Sequence, residues 1–353
     1  MKPTRGCSAL LLVALLATLL LPAGATARTP IALGVSISPE WGTSGDWWDT
    51  ELGIVGASRG PAIMSMFFAW NGPFAEAPHQ DILEDTVYQP TGYPKPATLD
   101  VAYARGAVPM LTWQPNLRDG ETIASVLDGR YDAYIRSWAL AAAADGRPVL
   151  IRFAQEMNGV SFPWAAARKG NDAPTFVKVW RKVVRAFRAA GADNVRWVWS
   201  PYVKGGPRAP FATVWPGARF VDYIGLDGYN WYTTGSPKGQ WRSFRTLFRA
   251  SLEEVHDRWP GKPVIIAEVG SIEPHPADPW SKGAWLRAAL RYLAAEHPQV
   301  VGFVYFDIGL HGREHDVNWR LDTGPSSLAA WRWAVDDPRF RGRAGVLGIR
   351  LPR

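Results

Sequence analysis

Cysteine is almost missing from this chain: Cys7 is the only one in 353 residues. That excludes a disulfide framework and a cysteine-built metal site. A chain this long can bury a core large enough to do without staples. Long apolar runs are also missing after residue 27, which excludes a membrane span in the remainder. No Ser/Gly/Pro-rich linker, no charge run and no short repeat divides the chain, so residues 28–353 read as one domain. No glycine-rich phosphate turn follows the first apolar run, which continues into Pro39-Glu40-Trp41. This argues against a doubly wound open sheet, the nearest competing architecture. A Ser-His-Asp set with a nucleophile elbow is absent too.

What is present begins with the N-terminus. Lys2 and Arg5 precede an apolar run from Ala9 to Leu21, and Ala25-Thr26-Ala27 offers small residues for cleavage. Residues 1–27 read as a secretory signal peptide, and the expected location is extracellular or periplasmic. The apolar run is shorter than the ~20 residues a spanning helix needs. The formal net charge is +7, but the basic residues are scattered. Arg181, Lys182, Arg185 and Arg188 share a helix face without interleaved aromatics, so they read as a solvated face and no nucleic-acid partner is expected. Tryptophan is the informative excess: nineteen are present, many at the ends of apolar runs and in loops. Flat aromatic faces in a groove suit the apolar C–H faces of sugar rings.

Short β-branched and aromatic runs recur at 32–38, 63–70, 108–115, 148–158, 195–202, 220–229, 263–271 and 300–307. Runs that are apolar throughout suit parallel strands buried on both faces. Helical spacing fills the intervals. Phe176, Trp180, Val183, Val184 and Phe187 share one face before Gly191. Trp241, Phe244, Leu247, Phe248, Leu252 and Val255 do so before Pro260, and Tyr131, Tyr134, Ile135 and Trp138 precede the fourth run. Eight strands alternating with helices give the α/β class and a single (β/α)8 TIM barrel.

Catalytic groups in such barrels stand at the C-terminal ends of strands. The fourth run ends Arg152-Phe153-Ala154-Gln155-Glu156-Met157-Asn158-Gly159, and the sixth ends Asp227-Gly228-Tyr229-Asn230. The seventh ends Ala267-Glu268-Val269-Gly270-Ser271, and the eighth ends Tyr305-Phe306-Asp307. A carboxylate at the end of an apolar strand is costly unless it is paired or used. Either Glu156 or Glu268 alone could be a buried partner of Arg152. Together, on opposite strands of one mouth, they make the carboxylate pair of glycosidases. His311-Gly312-Arg313-Glu314-His315 fits the H-x-x-E-H zinc pattern, but that pattern needs a helix and Gly312 argues for a loop, so no metal is expected.

The stretch from Pro109 to about Ser326 resembles glycoside hydrolase family 26 and its β-mannanase-like relatives. The matching segments are Met110 to Pro115, Arg152 to Gly159 with Pro163-Trp164, Gly191 to Pro201, Val221 to Asn230, Lys262 to Ser271, and Trp319-Arg320. The resemblance implies Glu156 as acid/base and Glu268 as nucleophile. It implies Tyr229 as the strand-six tyrosine that holds the nucleophile, with Asp227 and Asn230 beside it, and Arg152 as an orienting or charge-balancing group. Trp113, Trp164 and Trp231 are the expected sugar platforms; Gln155, Asn158 and Asp307 are further expected substrate contacts. Two positions depart from the family pattern. Gln155 stands where many members carry histidine, and Tyr202 follows Pro201 where relatives often carry asparagine.

The expectation is a secreted, monomeric, retaining endo-β-glycanase acting on β-mannan or a related glucan or xylan, without a cofactor. The alternatives are an enzyme that trims its producer's own exopolysaccharide, and a carbohydrate-binding barrel without turnover.

Overall fold

The computed structural model describes residues 28–37, 60–70, 98–232, 240–310 and 317–351. Residues 1–27, Pro39 to Trp41 and His311 to His315, on which some of the expectations above rest, lie outside these described residues. Eight parallel strands close into one barrel in chain order. They are β1 (Ala32–Ile37), β2 (Ile63–Ala69), β3 (Val108–Gln114), β4 (Val149–Phe153), β5 (Val195–Trp199), β6 (Tyr223–Asn230), β7 (Val264–Ser271) and β8 (Val300–Asp307). The barrel closes where β8 pairs with β1, from Ala32 against Gly302 to Ile37 against Asp307.

Six helices matter to the site: α1 (Thr98–Ala104), α2 (Asp132–Asp145), α3 (Ala173–Ala189), α4 (Phe244–Arg258), α5 (Lys282–Glu296) and α6 (Pro325–Asp336). The apolar stripe expected on α3 is the buried one, with Phe176, Trp180, Val183, Val184 and Phe187 against the barrel. Its start is set by Asp172, whose side chain accepts from the Thr175 N–H, and its end by Gly191 at φ +76°. An aspartate at the N-cap and a left-handed glycine after the last turn satisfy backbone groups that the helix leaves unpaired. On the outer face of the same helix, Arg181, Arg185 and Arg188 all lie over the Phe220 ring, and Lys182 pairs with Asp132 at 2.6 Å.

Strand alternation sorts residues between the barrel interior and the helix layer. Thr112 and Arg152 point inward and meet at 2.9 Å, whereas their neighbours Trp113 and Phe153 point outward. Trp113 stacks on Trp138 of α2 with ring centroids 4.5 Å apart and is fully buried.

The N-terminal floor of the barrel is sealed by the C-terminal segment. Ala344, Leu347 and Ile349 pack on Ala32, Ile63, Val108, Leu150 and Val301. The Ile31 N–H donates to the Arg339 carbonyl at 2.8 Å and the Gly342 N–H to the Ile31 carbonyl at 3.1 Å. The floor therefore leaves the opposite, C-terminal end as the mouth.

The fourth strand is shorter than the sequence suggested. It ends at Phe153, not Asn158, because Ala154 and Glu156 take left-handed backbone conformations at φ 47° and 52°. The chain leaves the ladder there, and the Glu156 N–H donates instead to the Ser200 carbonyl at 2.7 Å.

Candidate active site

Three strand ends and one turn bring five polar side chains together at the mouth. Arg152 comes from β4, Asp227 and Tyr229 from β6, Glu268 from β7, and Glu156 from the turn after β4. In β6 the pairing register slips between Leu226 and Asp227, so that Asp227 sits opposite Glu268. In β7 it slips between Ile266 and Val269, bracketing Glu268. Such bulges bend a strand and re-aim the side chains at its end.

Arg152 is the hub. Its Nε donates to Thr112 Oγ1 at 2.9 Å and its Nη1 to Asp227 Oδ1 at 2.9 Å. Its Nη2 donates to Glu268 Oε2, and its guanidinium lies over the Phe67 ring. Ser200 Oγ donates to the same Asp227 oxygen at 2.7 Å. The second oxygen of Glu268, Oε1, accepts from the Tyr229 hydroxyl. Both oxygens of Glu268 are therefore oriented by donors on two different strands. The pairing answers the cost of burying a charge, since an arginine with no exposed surface must carry its proton and needs carboxylates around it. Burial and the neighbouring Glu268 charge raise the Tyr229 phenol well above its ordinary range, so it stays a donor. Burial also pushes Asp227 up to about 8, against the pull of Arg152 and with the push of Glu268.

Glu156 is different in kind. It is only partly exposed, and among the described residues nothing hydrogen-bonds its carboxyl. Burial first, then the charges of Glu268 and Asp227, raise it well above the usual carboxylate range; Arg152 and Arg208 oppose that rise. One carboxylate is thus tied down by donors on both oxygens, and the other is an unpaired acid that tends to keep its proton. That is how two carboxylates take opposite roles at one site.

The turn bearing Glu156 is fixed from several sides. Trp164 Nε1 donates to the Gln155 carbonyl at 2.7 Å, and the Ala166 N–H donates to the Met157 carbonyl at 2.6 Å. Asn158 clamps Tyr202: its Nδ2 donates to the Tyr202 carbonyl, and its Oδ1 accepts the Tyr202 N–H, both at 2.9 Å.

Several expected substrate contacts have other duties. Trp113 is a core residue of the helix layer, because an odd–even step on β3 sends it outward while Thr112 points in. Trp164 is also buried; it stacks on Phe162 at 4.6 Å and ties down the Gln155 carbonyl, so it presents no open ring face. Arg152 and Asp227 have no exposed surface: Arg152 holds Glu268, and Asp227 holds Arg152. Asn158 and Asn230 spend their amides on the protein: Asn230 Nδ2 donates to Ser271 Oγ at 3.0 Å and its Oδ1 accepts the Arg242 N–H at 2.9 Å. Asp307 Oδ1 accepts the Leu321 N–H at 2.6 Å and braces the segment after β8. Gln155 is buried, and among the described residues its amide atoms have no partner. Trp231 is half-buried at the mouth, where its ring meets Tyr229 at 5.6 Å and Trp319 at 4.9 Å.

The sequence marks Tyr202 as a departure from the family pattern but carries no motif at its neighbour Ser200, although both stand at the end of β5, where the polar groups of a barrel mouth gather. Arg208 lies in the Gly205-Gly206-Pro207 loop, where no motif marks it. Trp319 completes the aromatic wall with Tyr229, Trp231 and Phe306. It fits only because position 270 is glycine, where a Cβ would sit 2.9 Å from the Trp319 ring.

Residues 118–275 match the model of glycosyl hydrolase family 26. The chain is 32% identical to endoglucanase H of Acetivibrio thermocellus over 239 residues, which are 67% of this chain and 25% of that protein. It is 35% identical to the mannan endo-1,4-beta-mannosidase of Bacillus subtilis over 89 residues, 24% of each chain. The matched stretch thus spans about a quarter of the length of these curated relatives. In fold the chain is similar to the catalytic domain of the Bacillus sp. JAMB-750 GH26 endo-beta-1,4-mannanase, with a TM-score of 0.64, 17% identity, and coverage of 90% of this chain and 89% of that one.

Proposed function

Given that the chain belongs to glycoside hydrolase family 26, we propose that it is a secreted enzyme that hydrolyses an internal β-glycosidic bond of a polysaccharide with net retention. The observation that carries this reading is the contrast between the two glutamates. Glu268 has both oxygens oriented, by Tyr229 and Arg152, while Glu156 is unpaired and biased toward its protonated form.

The steps follow from that contrast. Glu268 attacks the anomeric carbon while Glu156 donates its proton to the departing oxygen, and a glycosyl ester forms on Glu268. Forming the ester removes the negative charge of Glu268, which was holding the Glu156 proton in place. Glu156 then ionises more readily and takes a proton from water, which attacks the anomeric carbon from the face that the leaving group vacated, breaking its bond to the Glu268 oxygen and releasing the carboxylate. The Tyr229 hydroxyl and Arg152 hold the carboxylate in its attacking orientation throughout. Relatives named for endoglucanase and mannan endo-mannosidase activity support a β-glucan or β-mannan backbone. The signal peptide read in residues 1–27 supports secretion.

The test is a panel of β-mannan, mixed-linkage glucan, cellulose and xylan, scored by reducing-end release and by the anomeric configuration of the first product. At least one polymer should yield β-configured ends, and Glu268→Ala should abolish its cleavage. With an activated aryl glycoside, Glu156→Ala should accumulate the glycosyl-enzyme, and azide should restore turnover as the β-glycosyl azide. An α-configured first product would overturn retention. Binding without turnover on every polymer would make the protein a lectin-like barrel instead.

A further inference from the structure

Arg208 is a charged side chain at the mouth that the reaction above does not use. Among the described residues, no carboxylate lies within ion-pair distance of its guanidinium, and its side-chain nitrogens donate to no protein acceptor. It is nevertheless held in place. Its guanidinium carbon sits 4.3 Å from the centre of the Tyr202 ring. The Tyr202 hydroxyl accepts from Trp231 Nε1 at 3.2 Å, and the Tyr202 backbone is clamped on both sides by Asn158. The Arg208 N–H donates to the Gly206 carbonyl at 2.9 Å, and the next N–H, of Ala209, donates to the Asn158 carbonyl at 2.8 Å. The loop after β5 is thereby locked to the turn that carries Glu156, and the cation is part of the same rigid unit.

A fixed cation beside a general acid works against that acid, because it favours the ionised form. Arg208 does oppose the protonation of Glu156. With a neutral sugar that opposition would persist through the reaction. An anion on the substrate would cancel it and would supply the partner that Arg208 lacks. The planar fork of a guanidinium is matched in shape by a carboxylate. Glu156 protonates the departing oxygen, so groups packed around it on the β5 loop face the sugar that leaves. The chain's net charge, +7 in full and +5 without Lys2 and Arg5 of the signal peptide (7 minus 2), also favours approach of a polyanion.

We propose that Arg208, stacked on Tyr202 beside Glu156, binds a carboxylate on the leaving-group sugar, so that the substrate is an acidic β-glycan. This rests on the assignment of Glu156 and Glu268 made above.

The test uses the purified protein on the polymer that the panel selects and on the same polymer partly oxidised at C6 to uronate; if that polymer is xylan, whose pentose units have no C6, glucuronate-substituted xylan is compared with the unsubstituted chain. The leaving sugar becomes the new non-reducing end of the released fragment, so mass spectrometry reads the preference directly. Uronate should be enriched at that end, and kcat/KM should be higher on the oxidised polymer by about tenfold, the worth of one charged hydrogen-bonded pair. Arg208→Met should bring both the enrichment and the kcat/KM ratio back to about that of random cleavage. Arg208→Lys, which keeps the charge and loses the fork, should give a ratio in between and serves if the methionine variant does not fold. Equal use of the two polymers by the parent would overturn the proposal, as would an enrichment unchanged by both variants. Cleavage of neither polymer would instead overturn the glycosidase assignment on which it rests.

Discussion

Glu156 carries two costs at once. Its backbone sits at φ 52°, a region that costs a non-glycine residue of order 1 kcal/mol or more. Its carboxyl is raised by burial and by the charges of Glu268 and Asp227. The sign of the linkage is fixed by that direction. A carboxyl raised in the folded state contributes stability below its unfolded value, and that contribution is lost as pH rises through the folded value. At neutral pH the group is therefore a burden. Glu156→Gln should be inactive yet more stable by about 1 kcal/mol at pH 7, with the gain vanishing near pH 4; thermal melts across pH read this directly. The same shift places the basic limb of the parent pH–rate profile above the ordinary carboxylate range, and a basic limb near pH 4 to 5 would contradict it. Arg152 sits at the opposite extreme. Arg152→Met leaves Asp227 and Glu268 buried without their shared cation and should cost about 3–5 kcal/mol, measured by denaturant unfolding. Trp113 separates core from platform: Trp113→Ala should destabilise by about 3–5 kcal/mol while leaving KM of the folded fraction unchanged.

At the scale of elements, the site depends on strands ending early and irregularly. β4 stops at Phe153, and the next residues turn left-handed, lifting Glu156 over the mouth. The slips in β6 and β7 bring Asp227 opposite Glu268, so Arg152 can reach both. Regular strands would alternate these side chains between interior and helix layer on a fixed period, and the cluster could not assemble. The helix layer has its own tight point. α5 and α6 approach so closely at Gly283 that a Cβ would lie 2.1 Å from the Ser326 carbonyl oxygen. Backbone cannot yield there as a flexible side chain would. Gly283→Ala should therefore force the helices apart and cost about 1–3 kcal/mol, seen as a lower unfolding midpoint at an unchanged m-value.

At the scale of the whole molecule, the two ends of the barrel divide the labour between stability and chemistry. The floor is apolar and plugged by the C-terminal segment, with Leu347 and Ile349 buried against five or more strands' worth of inward side chains. Removing residues 338–353 should expose that floor and lose about 4 kcal/mol from Leu347 and Ile349 alone, at roughly 2 each, together with dye binding to the uncovered surface. The mouth should keep its carboxylate geometry in whatever fraction stays folded, since none of the described residues of that segment reaches the site cluster. A truncated protein as stable as the parent would mean that the tail is ornament and the barrel seals itself.

Much of this protein is legible in its sequence, and for definite reasons. Barrel strands are apolar on both faces, so their runs and their order can be read without coordinates. Helices must turn one stripe inward, so Phe176, Trp180 and Phe187 announce α3. A carboxylate at the end of such a strand is expensive, so Glu156, Asp227 and Glu268 stand out. What tertiary structure alone decided was which way each side chain points and what it meets. Trp113 and Thr112 are adjacent in sequence, yet one step of strand alternation sends the tryptophan to the core and the threonine to Arg152. Asn158, Asn230 and Asp307 look like substrate contacts until the loops they brace fold back onto them. Arg208 follows two glycines and a proline, and no local pattern marks it. Only the closing of the β5 loop against the turn of β4 carries its charge to the side of Glu156, because that approach depends on contacts between residues about fifty positions apart.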